Sequence, residues 1–420
     1  MEAEELLKFY SSIWKRLDLW AANATHYRRA VAGIFLLALA VRVVAALVHP
    51  YYLPDSADYS ALAKAIAAGH AYEIHGQLAR RMPGYPIFIA VFYSLFGFHH
   101  LPVLLAQAVL SALTTTFSAL LGRCVSPATG LLSGALTALD PLGIGFSASL
   151  LTEPLFTCVF ILSLYLLLQA MQRPKKWWIW LGFGVLWAIG VYIRAEVSLC
   201  LFPLLAWCVC LKQWRKDRMS FVMGGLLTLI VCFLCLLPWW VRNNQLFHQD
   251  FFRFTTMQGI SLYESVYSGA TGGPRQSDLV IPASIQRLNE SQRDLAWTHR
   301  AFTDIARHPA RIIRLAFVKI ARTWSPWLHA RGYTNMWLNA ALTLWYSPLF
   351  ILAIIGICRY PLRSPLFGVL LVPTVYFTLM HAVFLGSVRY RVPVMPLVAV
   401  IAAIGMAGTI RRVPDAAPAV

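Results

Sequence analysis

Carboxylates and guanidinium groups stand at the margins of apolar runs, where charge of any kind is scarce. Asp55 and Asp58 lie in PDSADY, Arg80 and Arg81 in ARRMPGYP, Glu153 in SLLTEPLF, Arg194 and Glu196 in VYIRAEV, and Arg389 and Arg391 in RYRVPVMP. Arg242 follows the tryptophan pair of PWWVRN, and Tyr59 lies four residues after Asp55. A carboxylate can accept a proton from an attacking hydroxyl, and guanidinium forks bind phosphate bidentately and neutralise charge growing on a leaving group. Such a set suits a ligand with an anionic head and an apolar tail, and a lipid-linked phosphate is one.

Taken singly, each group has a plainer explanation. Asp55 and Asp58 would serve as N-cap and N3 acids of a helix running from Pro54 to Gly69. Arg42, Arg391 and Glu196 would snorkel to the interface, and Arg194 would pair with Glu196. Anchoring alone, however, would place polar acids in both leaflets, whereas the acids and arginines here gather toward one side. Asp140, ahead of Pro141, is the one whose depth the sequence leaves open.

These residues must be positioned by membrane helices. The 420 residues are 59% hydrophobic and only 13% charged, and the apolar residues fall in long blocks. A span needs about 20 apolar residues, and ten are predicted: 30–48, 101–121, 130–149, 151–170, 178–193, 195–211, 221–241, 338–357, 365–385 and 392–410. The fifth and sixth are short enough to form one re-entrant pair. No cleavable signal peptide is evident before the first span. Fifteen Trp, 17 Tyr and 24 Phe exclude disorder. Eight Cys, none in the outer segments, imply no disulfide framework, and the Cys232–Cys235 spacing inside an apolar run reads as packing.

Orientation follows from Lys and Arg in short loops. Lys8, Lys15, Arg16, Arg28 and Arg29, then Arg123, Arg173, Lys175, Lys176, the Lys212–Arg218 cluster, Arg359, Arg363, Arg411 and Arg412 share one side if the N-terminus is cytoplasmic. That holds only if 50–100 crosses nothing, so Tyr85–Phe98 is read as an interfacial helix. The expected organisation is a cytoplasmic segment 1–29, a transmembrane core 30–241 containing the outer loop 50–100, an extracytoplasmic segment 242–337, C-terminal helices 338–410 and a cytoplasmic tail 411–420. In the second outer segment, Arg307, Arg311, Arg314, Lys319 and Arg322 share one arc of a helix near 307–324, opposite Ile313, Ala316, Phe317 and Ile320, which predicts a basic amphipathic helix on the membrane. The formal charge of +18 is nearly half topogenic loop charge, and no nucleic-acid motif appears.

The chain resembles the GT-C superfamily of polyprenyl-phosphate-sugar glycosyltransferases, of the protein O-mannosyltransferase and lipid A aminoarabinose transferase type. The resemblance rests on Asp55-x-x-x-Tyr59 after the first span, Arg81-x-Pro-Gly-Tyr-Pro86, Leu151-Thr-Glu-Pro-Leu155, Pro238-Trp-Trp-Val-Arg-Asn243 and Arg389-Tyr-Arg-Val-Pro393, in the family's order over 30–410. It implies an all-α, GT-C-like membrane enzyme, a hexosyl- or pentosyltransferase of the plasma (inner) membrane. Such an enzyme takes a sugar from a polyprenyl phosphate on the extracytoplasmic face and passes it, with inversion, to a protein or glycolipid acceptor. Asp55 falls on the essential acid; where family members commonly have Asp-Glu, this chain has Asp55-Ser56, with a second acid at Asp58. Catalytic roles are expected for Asp55, Asp58 and Glu153, and substrate binding for Tyr59, Arg80, Arg81, Arg194, Arg242, Arg389 and Arg391. The donor phosphate maps to Arg389 or Arg391, then Arg81. No cofactor is expected: a divalent metal near Asp55, Asp58 and Glu153 lacks a supporting His-rich set. Two other readings stand beside this one. A transporter or lipid flippase would need midplane charges and paired broken helices. An O-antigen-ligase-like enzyme would use a diphosphate donor and lack the early acid.

Overall fold

The structure, a computed structural model, describes residues 3–211, 216–247, 253–274, 279–329, 335–361 and 364–407. The expected tail with Arg411 and Arg412, the end of the tenth span, Arg363, and Lys212 and Arg215 of the charged loop lie outside these residues.

Two N-terminal helices, α1 (Ala3–Ala22) and α2 (Ala24–Val48), lead into a first outer loop carrying α3 (Pro54–Ala67) and α4 (Gly84–Phe96). A central run follows: α5 (His100–Arg123), α6 (Pro127–Ala138), α7 (Pro141–Ser147), α8 (Glu153–Gln172), α9 (Trp177–Ile193), α10 (Leu201–Cys210) and α11 (Arg218–Phe247). The second outer segment holds α12 (Gln258–Val266), α13 (Ala283–Gln286), α14 (Glu290–Arg307) and α15 (Pro309–Thr323). The chain closes with α16 (Met336–Arg359), α17 (Pro365–Val383) and α18 (Met395–Ala407). Among the described residues, seven segments are long and apolar enough to span: α2, α5, α8, α11, α16, α17 and the stretch Val388–Ala407 that ends in α18. The protein is an all-α polytopic membrane protein.

Of the ten spans that hydropathy predicts, three differ in form. The fifth and sixth are short separate helices, α9 and a 3₁₀ turn leading into α10, joined at Arg194. The third is broken. Pro141 has no N–H to continue the ladder, so α6 stops and α7 begins at Asp140. The Asp140 carboxylate caps α7, accepting from Gly143 N at 2.8 Å and from the Tyr346 hydroxyl of α16. Carbonyls orphaned at the end of α6 are taken by Arg42, which donates to Ala138 O at 2.8 Å and Thr137 O at 3.2 Å, and through Nε to Ser111 Oγ at 2.7 Å. Arg42 is only 1% exposed, so capping a broken helix replaces the snorkelling expected of it. Asp140→Ala strips the cap and leaves the Tyr346 O–H and the Gly143 N–H without the carboxylate they donate to. It should cost about 2–4 kcal/mol, measured as a lower melting temperature in detergent, with Asp140→Asn costing less.

The C-terminal helices set the position of the RYRVP segment. Val388–Ala407 is the most enclosed of the spans, and α16 meets it at van der Waals closeness. A Cβ on Gly356 would lie 2.0 Å from Ile401 O, and one on Gly405 2.0 Å from Leu352 O. Small residues permit this backbone approach within a membrane.

In the second outer segment, Arg311, Lys319 and Arg322 of the α15 arc face the protein, while Arg314 is exposed. Lys319 is buried and donates to Val383 O at 2.8 Å, and Arg311 donates to Val266 O at 2.9 Å. Ile313 and Phe317 point outward. The predicted helix therefore forms, at Pro309–Thr323, but Arg307 belongs to α14 and its polar side is spent on capping and tying neighbours.

Candidate active site

The charged residues converge at one end of the bundle. Asp55 and Asp58 lie on one face of α3, three residues apart. They do not cap it: Leu53 is the N-cap residue, and the returning bond runs from Leu53 N to Ser56 Oγ at 3.2 Å. Both acids are turned instead toward arginines. Glu153 opens α8, Arg194 ends α9, and Arg389 sits on the 3₁₀ turn Val388–Val394 that precedes α18.

Arg389 bridges the acids. Its Nη1 donates to Asp55 Oδ2 at 2.7 Å, its Nη2 to Glu153 Oε2 at 3.5 Å, and its Nε makes a short bond to Glu153 Oε1. Arg81 grips the other side, Nη2 lying 2.5 Å from Asp55 Oδ1 and 2.9 Å from Asp58 Oδ2. Arg80 Nε reaches Asp58 at 3.2 Å, and His75 Nε2 lies 3.2 Å from the other oxygen of Asp58. Arg194 pairs with Glu196 at 2.9 Å and approaches Glu153 at 3.4 Å. The Arg81 guanidinium also lies over the Tyr59 ring, 5.4 Å from its centroid, a cation–π contact.

Burial by itself would raise the pKa of Asp55, but Arg81 and Arg389 outweigh it and hold the carboxyl well below the usual range. Asp58 is lowered in the same way: burial opposes, and Arg81 and then Arg80 prevail. Both stay ionised across the physiological range. Among the described residues no group of three His, Cys, Asp or Glu side chains is arranged to hold a metal ion.

Two of the expected binding residues lie elsewhere. Arg391 is buried away from the cluster, donating to Thr323 O at 3.0 Å and to Ser325 O, with its guanidinium over Tyr346 and Phe350. A 3₁₀ turn has three residues per turn, so residues two apart point in different directions, and Arg389 and Arg391 cannot share a ligand. Arg242 is spent on the first outer loop. It donates to Leu78 O at 3.0 Å and Tyr72 O at 3.4 Å, and its guanidinium lies 4.6 Å from the centroid of the Trp239 ring.

Glu290 is a residue the sequence did not single out. Its carboxylate accepts from Leu78 N at 2.6 Å, Ala79 N at 3.0 Å and the Thr256 hydroxyl, fastening the second outer segment to the strand of chain leading into Arg80 and Arg81. In the sequence it is indistinguishable from the first-turn acid of a capped helix, since Asn289 and Gln292 form a capping box around it. Glu290→Ala should lower transfer by about 10- to 100-fold through misplacement of Arg81, with partial recovery in Glu290→Gln, whose amide oxygen still accepts. Steady-state kinetics of the purified variants decide it.

Residues 80–241 match the family model described as dolichyl-phosphate-mannose-protein mannosyltransferase. Among solved structures, the archaeal oligosaccharyltransferase AglB from Archaeoglobus fulgidus, in complex with an inhibitory peptide and a dolichol-phosphate, superposes with a TM-score of 0.56 at 14% identity, over 90% of this chain and 50% of its own. The chain shares its fold with this oligosaccharyltransferase. A second structure of the Archaeoglobus fulgidus oligosaccharyltransferase, tethered with an acceptor peptide, gives a TM-score of 0.54 at 14% identity, over 89% and 49%. ArnT from Cupriavidus metallidurans bound to undecaprenyl phosphate gives 0.43 at 16% identity, over 90% and 77%. The chain thus spans about half the length of the oligosaccharyltransferase it superposes on. No curated protein sequence matches it significantly.

Proposed function

We propose that this GT-C protein transfers a sugar from a polyprenyl-phosphate donor to an extracytoplasmic acceptor, a protein or a glycolipid, with inversion at the anomeric carbon. The observation that carries the reading is Arg389 held between Asp55 and Glu153, residues 334 and 236 positions away in the chain. Two guanidinium groups, Arg389 and Arg81, are focused on one carboxylate at the end of a lipid-embedded bundle. That is the chemistry needed where a hydroxyl attacks and a phosphate departs.

In this mechanism the acceptor oxygen forms a bond to the anomeric carbon while the carbon–oxygen bond to phosphate breaks. The bonding pair leaves on the phosphate oxygen, and the acceptor proton passes to Asp55. Arg389 and Arg81 neutralise the second negative charge that appears on polyprenyl phosphate, so no general acid is required. Glu153 fixes the Arg389 fork, and Arg194 and Glu196 brace Glu153 from behind. A separate glycosidase-type acid is unnecessary because phosphate leaves without protonation.

The matched family model and the dolichol-phosphate named with AglB support a lipid-linked donor. The Lys and Arg pattern of the short loops supports an extracytoplasmic site in the plasma (inner) membrane. The test is to supply the purified protein, in proteoliposomes, with polyprenyl-phosphate sugars carrying a ¹³C anomeric label and with envelope acceptors. We expect label in the acceptor fraction with inverted configuration. Retained configuration, or turnover of diphosphate donors only, overturns the reading.

A further inference from the structure

In the structure the two arginines assigned to the donor phosphate are not free to receive it. Asp55 Oδ1 lies 2.5 Å from Arg81 Nη2 and Asp55 Oδ2 lies 2.7 Å from Arg389 Nη1, so one carboxylate takes one fork arm of each arginine. The same Arg81 Nη2, together with Nε, also donates to Asp58, and Arg389 Nε and Nη2 donate to Glu153. Counting the ion-paired cluster, Asp55, Asp58, Glu153 and Glu196 oppose Arg80, Arg81, Arg194 and Arg389. The cluster is neutral, without spare positive charge for an incoming anion.

The three acids touching Arg81 and Arg389 are not equally fixed. Glu153 is sealed, with its side chain 1% exposed, and Asp58 is held by Arg80 and His75 as well as Arg81. Asp55 is the most open at 30%, and among the described residues its ion pairs are to the two arginines in question. Its short side chain, in the first turn of α3, can leave both arginines by rotation about its own torsions without moving the helix. Its two oxygens stand where the two non-bridging oxygens of a phosphodiester would stand.

We propose that Asp55 is a resident stand-in for the donor phosphate: the phosphate displaces it from Arg81 and Arg389, and this displacement releases its carboxylate from both cations to take the acceptor proton. This rests on the glycosyltransferase reading above and adds an order to it. Donor binds first, and the acceptor hydroxyl meets a competent base second. The exchange is anion for anion, so the cluster keeps its charge. A carboxylate still clasped by two guanidinium groups is a poorer proton acceptor, because both cations favour its ionised form, which protects the empty site from premature proton transfer.

The displacement makes a prediction opposite to that for a residue that helps bind substrate. Asp55→Asn replaces a charged competitor by a neutral one, so polyprenyl monophosphate should bind about tenfold more tightly to the variant than to wild type, although the variant does not turn over. Asp58→Asn removes the same charge beside Arg81 but not the occupant of the phosphate position, and should change affinity less than about threefold. Binding is measured by calorimetric titration of polyprenyl monophosphate into nanodisc-embedded protein, with Arg389→Ala alongside and a thermal melt to establish folding. Asp55→Ser serves if Asp55→Asn does not fold.

Unchanged or weaker binding in the Asp55 variants, or equal tightening in the Asp55 and Asp58 variants, overturns the displacement. If Arg389→Ala still loses binding in that event, the phosphate site stands and only the order of events falls. If wild type itself binds no polyprenyl phosphate, the underlying reading falls with it.

Discussion

Asp55→Asn should abolish the proposed sugar transfer, with turnover falling by at least about 10³-fold while the melting temperature moves little. Asparagine is isosteric with aspartate and can still accept one hydrogen bond from Arg81 or Arg389, so the fold of the outer loop survives. What is lost is the proton acceptor. General-base catalysis contributes about 10²–10⁴-fold, and the amide cannot substitute because it takes no proton in the physiological range. A variant that kept more than about a tenth of wild-type turnover would show that Asp55 is structural. In that case the resemblance of Asp55-x-x-x-Tyr59 to the family's element would carry no chemistry here.

Arg389 carries the second large effect, and it divides between stability and rate. Removing it leaves Glu153 buried with only the longer Arg194 contact for its charge. Breaking a buried pair by deleting one partner costs about 3–5 kcal/mol because the survivor is uncompensated. Arg389→Ala should therefore lower both the melting temperature and transfer. The informative variant is the double one. Adding Glu153→Gln neutralises the stranded acid and should recover most of the lost stability, yet transfer should stay down by about 10²-fold or more because Arg81 is left to meet the phosphate without Arg389. Arg389→Lys keeps the charge but not the fork that joins Asp55 to Glu153, and should retain stability better than activity. Recovery of transfer in the double variant would make Arg389 a structural counter-ion to Glu153 and nothing more.

The charged half of this site was legible because a charge beside an apolar run needs a reason. Asp55, Asp58, Arg81, Glu153, Arg194 and Arg389 announced themselves by sitting where lipid or helix ends should exclude them, and they meet. Arg391 shared that signal but is aimed elsewhere, since two residues on a 3₁₀ turn diverge and sequence hydropathy does not report the turn. Arg42 and Asp140 looked like misplaced charges; they staple a break that Pro141 makes inside one predicted span. Glu290 gave no signal at all. The outer segment is polar throughout, so an acid that reaches across to the backbone of residues 78 and 79 resembles any helix-starting acid. The amphipathic pattern of α15 was legible, but Arg311 and Lys319 turn to the protein, where the carbonyls of Val266 and Val383 accept from them.

The central claim is that one outward-facing set of residues, Asp55 with Arg389 and Glu153, turns over a lipid-linked sugar. The most direct measurement is release of polyprenyl phosphate from a labelled polyprenyl-phosphate sugar, followed side by side in proteoliposomes of wild type, Asp55→Asn and Arg389→Lys. The account predicts steady release by wild type in the presence of acceptor, none above background with Asp55→Asn, and a small residual rate with Arg389→Lys. Equal release by all three, or none by folded wild type across the donor and acceptor panel, contradicts it.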